Sequence, residues 1–246
     1  MTRIVALFAL AILIAGCQTT GEVLKKYPVG ASYNGQVLVG KKQIPLPPGD
    51  WEIFASRVSQ NSSGVPFLSL VLGNKDRTAD VLAVGLHTNT EVSNGNGWVI
   101  LKACGRTNML HVDAPDNIEG SAQRCWFVNH SRMTRSGNGV SVMTTALERA
   151  KKLGIKLPVT SVYTGFRVAG TYDTLTVRVY FNPEAAGFSP PNQSAWATND
   201  WHKDRIYVDQ KKVAYVEKVK KWAAAFFLKV EAGFKGKLAL ARTAAK

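Results

Sequence analysis

The hydrophobic residues beyond about residue 36 follow two patterns, one typical of strands and one typical of helices. Short apolar runs are bounded by turn-forming residues such as glycine, asparagine and aspartate, as is usual for strands in a buried sheet. The runs begin at Val37, Trp51, Phe67, Val81, Trp98, Met109 and Cys125. Because these runs are short and closely spaced, they predict a mostly antiparallel sheet of about seven to nine strands.

The clearest pair of strands lies between residues 162 and 181. Apolar residues at positions 175, 177, 179 and 181 alternate with Thr176, Arg178 and Tyr180. A turn at Gly170 separates this strand from an earlier run in which Val162, Phe166 and Val168 face one way. Alternation with a period of two predicts a hairpin that is half buried.

Two segments have the three- and four-residue spacing of helices. The first runs from Ser141 to Leu153, and Gly154 follows it where a glycine cap commonly ends a helix. The second runs from Asp209 to Phe234 and has a longer apolar stripe. Together the patterns predict an α+β fold, a mostly antiparallel sheet with one short helix and a long C-terminal helix packed on it.

The segment from residue 1 to Cys17 has the organisation of an export signal. Arg3 gives a positive start, residues 4–15 are apolar, and Gly16 precedes Cys17. The apolar run is shorter than the about 20 residues that a transmembrane helix needs, and it suits a secretory signal peptide. Small residues directly before a cysteine resemble the lipobox of bacterial lipoproteins. The alternative is an ordinary cleaved signal in which the cysteine occurs by chance.

The resemblance to lipoproteins implies a modified N-terminus and a location in the cell. It implies cleavage before Cys17, a diacylglycerol on the Cys17 sulfur, and an acyl chain such as palmitate on the new amino group. Gln18 stands where an aspartate would favour retention in the inner membrane. The implied location is therefore the periplasmic side of the cell envelope, at the outer membrane rather than the inner membrane.

The composition then predicts three parts of the chain. Residues 1–16 are predicted to be the signal peptide, and residues 17–35 a polar tether that links the lipid to the folded protein. Residues 36–246 are predicted to form a single α+β domain. Hydrophobic residues make up 46% of the chain and charged residues 20%, which excludes the disordered class.

The cysteines agree with an exported location. The chain has 3 cysteines, so Cys104 and Cys125 are the pair left if Cys17 is acylated. In an oxidising periplasm such a pair is expected to form a disulfide. The two residues lack the C-x-x-C spacing of a redox-active pair.

The charge indicates anionic partners. The formal net charge is +14, with 31 basic and 17 acidic residues. Because an exported protein does not meet the chromosome, the expected partners are anionic lipid, lipopolysaccharide or acidic glycan, and not nucleic acid. Lys218, Lys220 and Lys221 on the long helix are candidates for binding an anionic surface. The alternative is a helix that covers the sheet and whose lysines are simply solvated.

The chain lacks the common local motifs of catalytic and metal-binding sites. The histidines are His87, His111, His130 and His202, and none has the spacing of a zinc site. The chain contains neither G-x-S-x-G nor S-x-x-K, and no phosphate loop. No catalytic residue, metal or cofactor is therefore predicted.

Three functions remain open. The first is a binding or scaffolding lipoprotein of the envelope, and the second is a peripheral binder of anionic lipid or glycan that uses the basic helix. The third is a periplasmic hydrolase, since His111 and Asp113 could share one face of a strand and act as an acid–base pair. The long loop from Glu184 to Asp204, with Trp196 and Trp201, is a further place for a site.

Overall fold

The computed structural model describes residues 20–76, 78–133, 141–192 and 195–238. Within these ranges it contains three α-helices, namely α1 (Thr20–Lys26), α2 (Val142–Lys152) and α3 (Gln210–Phe234). The strands are β1 (Ser32–Tyr33), β2 (Gln36–Val39), β3 (Lys42–Pro45), β4 (Trp51–Gln60), β5 (Pro66–Asn74), β6 (Val81–Asn89), β7 (His111–Asn117), β8 (Gln123–Arg132), β9 (Thr160–Ala169) and β10 (Thr174–Phe181).

Eight of the strands form one antiparallel sheet, in the order β1-β4-β5-β6-β10-β9-β8-β7. Strands β2 and β3 form a separate hairpin. The predicted α+β class, with a mostly antiparallel sheet and a long C-terminal helix, is confirmed. The structure adds a second short helix, α1, that the sequence patterns did not predict.

Helix α3 covers one face of the sheet because its apolar stripe is continuous. Asp209 caps the helix by accepting hydrogen bonds from the backbone amides of Lys211 and Lys212. Phe226 and Phe227 both contact the ring of Phe166 on β9, with centroid distances of 5.5 and 6.1 Å. Burial of each phenylalanine contributes about 2 kcal/mol, so packing rather than helix propensity holds α3 in place.

Helix α2 covers only part of the opposite face. Ser141 caps it by accepting a hydrogen bond from the Thr144 amide. The small side chains of Ala146 and Ala150 are buried against Phe54 and Tyr180 of the sheet. Because α2 lies over β4 and β5, the middle of the sheet on this face is left for other segments to cover.

The segment Trp98–Leu101 was predicted to be a strand, and that prediction is wrong. It is irregular and lies across the sheet, and a short 3₁₀ helix, Lys102–Gly105, follows it. Two of its backbone oxygens accept hydrogen bonds from side chains and from a turn amide instead of from a neighbouring strand. The Trp98 oxygen accepts from the Gly120 amide and from Gln123 Nε2, and the Val99 oxygen accepts from Arg167. Because the Trp98 and Val99 oxygens are already hydrogen-bonded in this way, the segment does not pair as a strand.

Residues 20–35 were assigned to a tether, and the structure packs them on the domain. Val23 in α1 is 2% exposed and belongs to the main core. The Tyr27 hydroxyl donates to the Leu38 oxygen at 2.7 Å, and β1 pairs with β4. Val23 and Tyr27 are four residues apart, which is about one helical turn. Most of the other residues in α1 are polar, so the sequence showed no apolar stripe of helical spacing. Residues 17–19 lie outside the described part.

A buried lysine joins the β2–β3 hairpin to the main sheet. Lys42 Nζ donates to the Asn89 backbone oxygen at 2.8 Å and to Asp173 Oδ1 at 2.9 Å. Lys41 reaches the other oxygen of Asp173 at 3.0 Å, but its side chain is 71% exposed, against 4% for Lys42. Burial alone would raise the pKa of the Asp173 carboxyl, but the hydrogen bonds from Lys42 and Lys41 hold this pKa below its usual value.

Strand β7 forms one edge of the sheet, and its sequence interrupts that edge. Its register with β8 shifts between Asp113 and Asp116, which marks a bulge. Pro115 lies within the shifted part and has no backbone N–H to donate. The pairing of β7 with its inner neighbour β8 is therefore interrupted near the middle of the strand.

Candidate functional site

An open cavity of about 540 Å³ lies on the face of the sheet that α2 covers only in part. Its floor is formed by β5, β6, β9 and β10. One wall is the start of α2, with Val142 and Met143, and the other is the segment Trp98–Leu101. A volume of this size is within the range of small-molecule sites in proteins.

Sheet register brings four polar residues into one row across the floor. Ser69 on β5 pairs with His87 on β6, His87 pairs with Thr176 on β10, and Thr176 pairs with Arg167 on β9. Directly paired residues of neighbouring strands have their side chains on the same face. Arg178, two residues beyond Thr176 on β10, lies in the next row.

Arg167 is a buried cation that has no carboxylate partner among the described residues. It is 7% exposed and donates to Gln123 Oε1 at 2.9 Å, to Thr176 Oγ1 at 3.2 Å and to the Val99 oxygen at 3.4 Å. These acceptors are all neutral, and within the described residues Arg167 forms no ion pair with an aspartate or glutamate. Burial lowers the pKa of its guanidinium to about 10. The charge therefore persists at neutral pH at a cost in solvation.

Arg178 is the accessible cation of the cavity. It is exposed and is flanked in its row by two glycines, Gly85 on β6 and Gly165 on β9. The space above Gly165 is occupied by the ring of Phe127. Above Gly85 there is room, since an added Cβ would make only ordinary contacts with Tyr180 and Arg178. The missing side chain at Gly85 therefore helps to keep the cavity open beside Arg178.

His87 lines the cavity in its neutral form. Its ring stacks on Phe67 with a centroid distance of 4.6 Å, and its Nδ1 lies 2.8 Å from the Ser69 hydroxyl oxygen. Partial desolvation of the ring, followed by the nearby charges of Arg167 and Arg178, lowers the pKa of His87 to about 4, although the side chain is still exposed at the cavity. His87 is therefore uncharged at pH 7, and the positive charge of the cavity comes from the two arginines.

The walls of the cavity are apolar. Trp98 is buried and its ring meets Phe67 edge to face at 5.4 Å. Val99 and Ile100 stand at the opening with 73% and 38% of their surface exposed. Because exposed aliphatic side chains gain free energy when an apolar group covers them, this wall suits the apolar part of a ligand.

The charge distribution favours an anionic group on the floor. Of the described residues that line the cavity, none is an aspartate or glutamate, whereas two are arginines. Arginine binds carboxylates and phosphates through paired N–H groups. The Ser69–His87 contact is a weak basis for nucleophilic catalysis, because a histidine with a pKa of about 4 is a poor base at neutral pH.

The sequence did not identify this site, since its polar residues are far apart along the chain. The one local signal was Arg178, a charged residue in the alternating strand Thr174–Phe181. The adjacency of β6 and β10, which places His87 beside Thr176, follows from strand order and is not visible in residue patterns.

His111 and Asp113, the basis of the hydrolase alternative, both contact Trp126. Asp113 Oδ2 accepts a hydrogen bond from the Trp126 indole N–H at 2.9 Å. The His111 ring packs against the same indole with a centroid distance of 4.4 Å. Burial, followed by Lys220, lowers the pKa of His111. The pair therefore fixes a tryptophan at the edge of the sheet.

The three candidate lysines of α3 are placed on its solvent side, as the alternative of a sheet-covering helix expects. Lys220 forms an ion pair with Glu217 at 2.8 Å, and Lys218 lies 3.9 Å from Asp80. Lys221 is exposed. The apolar face of α3 is buried on the sheet, so it is not available to enter a membrane.

The tryptophans of the loop from Glu184 to Asp204 have different roles. Trp201 is 1% exposed and belongs to the main core. Trp196 is partly exposed, and its ring stacks on His130 with a centroid distance of 5.3 Å. His130 is 1% exposed, and its Nε2 lies 3.1 Å from the Trp196 oxygen. In the described part of the loop, Trp201 therefore packs in the core, whereas Trp196 covers His130 and also lines a second, open pocket with residues 105–108.

His130 should make the protein sensitive to acid. Burial lowers the pKa of His130 to about 4, against about 6.5 in the unfolded chain. As the pH falls through this window the unfolded state takes up a proton first, so stability that is complete above pH 6.5 is lost towards pH 4. We expect a loss of about 2 kcal/mol between pH 7 and pH 5 from this residue.

Urea unfolding at the two pH values measures this effect. His130→Gln keeps a donor for the Trp196 oxygen but cannot titrate, so its stability should fall by about 2 kcal/mol less than that of the wild type over the same pH change. Equal losses in the two proteins would show that His130 is not responsible.

The predicted disulfide is present. Cys104 and Cys125 are bonded, with a Cα–Cα distance of 6.0 Å and a sequence separation of 21. Cys17 lies outside the described residues. Among the residues described, no cluster of three or more His, Cys, Asp or Glu side chains is arranged to hold a metal ion. In the same part of the chain, no helix has both the length and the apolar character needed to cross a membrane.

Comparisons with known proteins provide no identity, since no family model, curated protein or solved structure matches the chain.

Proposed function

We propose that this chain is a lipoprotein of the bacterial cell envelope, attached through acylated Cys17, that binds a small molecule in the cavity on its sheet. The observation that carries the binding role is the cavity itself, which combines a polar floor containing Arg167 and Arg178 with apolar walls. Sites for small molecules usually have this composition, a mainly apolar lining with a few placed polar groups.

Two features support the envelope location. The small residues before Cys17 resemble a lipobox, and the Cys104–Cys125 disulfide is typical of proteins in oxidising compartments. With Gln18 after the cysteine, the proposed location is the periplasmic side of the outer membrane. Because α1 begins at Thr20, the proposed anchor stands only a few residues from the folded domain.

A binding role accounts for the site better than the two alternatives. The hydrolase alternative needs an acid–base pair, but the His111 ring packs on the Trp126 indole and Asp113 accepts a hydrogen bond from it. Binding of anionic membrane surfaces through α3 needs free lysines beside an apolar face, but Lys218 and Lys220 have acidic neighbours.

Native mass spectrometry of the protein purified from envelopes tests both parts of the proposal. We expect a chain that starts at Cys17 and carries the mass of a diacylglycerol and an acyl chain. We also expect a second added mass that denaturation releases, since the cavity should be occupied by its ligand. Gly85→Leu should remove this second mass, because the new side chain projects into the cavity without a steric clash at its Cβ.

The matched control is Gly170→Leu, which adds the same side chain at an open position outside the cavity lining. This variant should keep both masses, and Cys17→Ser should lose the lipid. An unmodified Cys17 in the wild type would contradict the anchor. A releasable mass that persists unchanged in Gly85→Leu, or its absence from the wild type, would contradict the binding role.

A further inference from the structure

We propose that the ligand of the cavity is an amphiphile with one oxyanion head group, a carboxylate or a phosphate monoester, whose head binds Arg178 and whose apolar body lies along Trp98, Val99 and Met143. This inference rests on the binding role proposed above. It assigns the class of ligand from the chemistry of the floor and of the walls.

The first argument is the buried charge of Arg167. A guanidinium carries five N–H groups, and three are used by Gln123, Thr176 and Val99. Buried arginines are ordinarily paired with a carboxylate, because removing the charge from water is costly. The described residues around Arg167 offer it only neutral acceptors. An oxyanion bound in the cavity would supply the missing negative charge.

The second argument is the position of Arg178. Its guanidinium lies beside the Tyr180 hydroxyl and is open to the cavity, while Gly85 leaves space next to it. Arg178 and Arg167 stand in neighbouring rows of adjacent strands, where diagonal neighbours are about 7–8 Å apart. One anionic group placed over Arg178 is therefore within the electrostatic range of both charges.

The third argument is the apolar wall. A free inorganic anion would satisfy the arginines but would leave Val99, Ile100 and Met143 facing water. An apolar chain joined to the anion would cover them, and each buried methylene group contributes to affinity. The two parts of the cavity are adjacent, since the Val99 oxygen is itself a partner of Arg167.

Displacement of the neutral fluorescent probe N-phenyl-1-naphthylamine tests the assignment. The protein is residues 18–246 carried to the periplasm by a signal that adds no lipid, which contains the whole described structure. Decanoate and decyl phosphate should each displace the probe at least about tenfold better than decanol, the gain expected from one hydrogen-bonded charge pair. Decyltrimethylammonium and inorganic phosphate should displace it poorly, and the ratio of decanoate to decyl phosphate identifies the head group.

The variant Arg178→Met removes the proposed contact and keeps the apolar part of the side chain. It should lower the affinity for decanoate and decyl phosphate about tenfold and leave decanol unchanged. Lys229→Met makes the same change of charge at an exposed position on α3, on the opposite face of the sheet, and should change neither affinity. NMR titration adds a second readout. Burial, followed by the charges of Arg167 and Arg178, lowers the pKa of His87, so the negative charge of bound decanoate should raise this pKa, and decanol should not raise it.

The measurements distinguish a wrong class of ligand from a cavity that binds nothing. If decanol and decanoate displace the probe equally, or if Arg178→Met and Lys229→Met behave alike, the cavity binds but the anionic class is wrong. If inorganic phosphate competes as well as decyl phosphate, the apolar body is not recognised. If the probe gives the same signal with the wild type and Gly85→Leu, the cavity is not a binding site.

Discussion

Replacing both Cys104 and Cys125 with alanine should lower the free energy of unfolding by about 3 kcal/mol. The disulfide closes a loop with a separation of 21 residues, and breaking it enlarges the set of conformations open to the unfolded chain. Cys125 is fully buried beside Phe127, so the loss of its sulfur also removes packing. Urea unfolding at pH 7 measures the difference.

The same bond should matter for the cavity. It ties the 3₁₀ helix Lys102–Gly105 to β8, and the wall Trp98–Leu101 leads directly into that helix. We therefore expect the alanine variant to bind the naphthylamine probe more weakly as well as to unfold more easily. Wild-type residues 18–246, in which the disulfide is intact, are the reference for both measurements. Thiols that react freely with an alkylating reagent in the native protein would contradict the bond.

The replacement Lys42→Met should also cost about 3 kcal/mol of stability. Lys42 Nζ donates to Asn89 and Asp173 in a buried position, and methionine fills a similar space without donating to either. The Asn89 backbone oxygen would then lose its Lys42 donor, and Asp173 would keep the exposed contact with Lys41 and a 3.4 Å hydrogen bond from Asn89 Nδ2. Lys42 thus adds a buried polar connection between the β2–β3 hairpin and the main sheet, beside the packing of Val37, Val39 and Ile44 in the main core.

Lys41→Met is a stringent control, since Lys41 and Lys42 bind the two oxygens of the same carboxylate at 3.0 and 2.9 Å. An exposed ion pair contributes about 0–1 kcal/mol, so the Lys41 variant should be nearly as stable as the wild type. The pKa of Asp173 is held low in the folded state, so the stabilisation is present above about pH 4 and is lost as the pH falls through the lowered value. Equal costs for the two variants would contradict the role of burial.

Helices α2 and α3 could be predicted because their evidence is local. Each has an apolar face with helical spacing, and the predicted starts at Ser141 and Asp209 are the capping residues in the structure. The hairpin of β9 and β10 was also predicted from its alternation, but the expectation that it is half buried is wrong. Both faces are covered, and Arg178 is the one exposed residue of β10. In these elements local propensity and burial favour the same conformation.

The irregular parts could not be predicted, because their conformation depends on distant groups. Trp98–Leu101 has the composition of a strand, but its backbone oxygens are bonded by Gly120, Gln123 and Arg167. The cavity is a similar case. Ser69, His87, Arg167 and Arg178 come from four strands, and only the order β5-β6-β10-β9 brings them together. A residue pattern contains no information on that order.

The bulged edge strand β7 has a consequence for the behaviour of many copies together. A membrane anchor would concentrate the chains on a surface, where a free sheet edge can pair with the edge of a neighbouring molecule and start aggregation. Pro115 lacks a backbone N–H, and the bulge shifts the register on either side of it. Two such edges could not align a continuous ladder of hydrogen bonds, so this side of the sheet is a poor template for polymerisation.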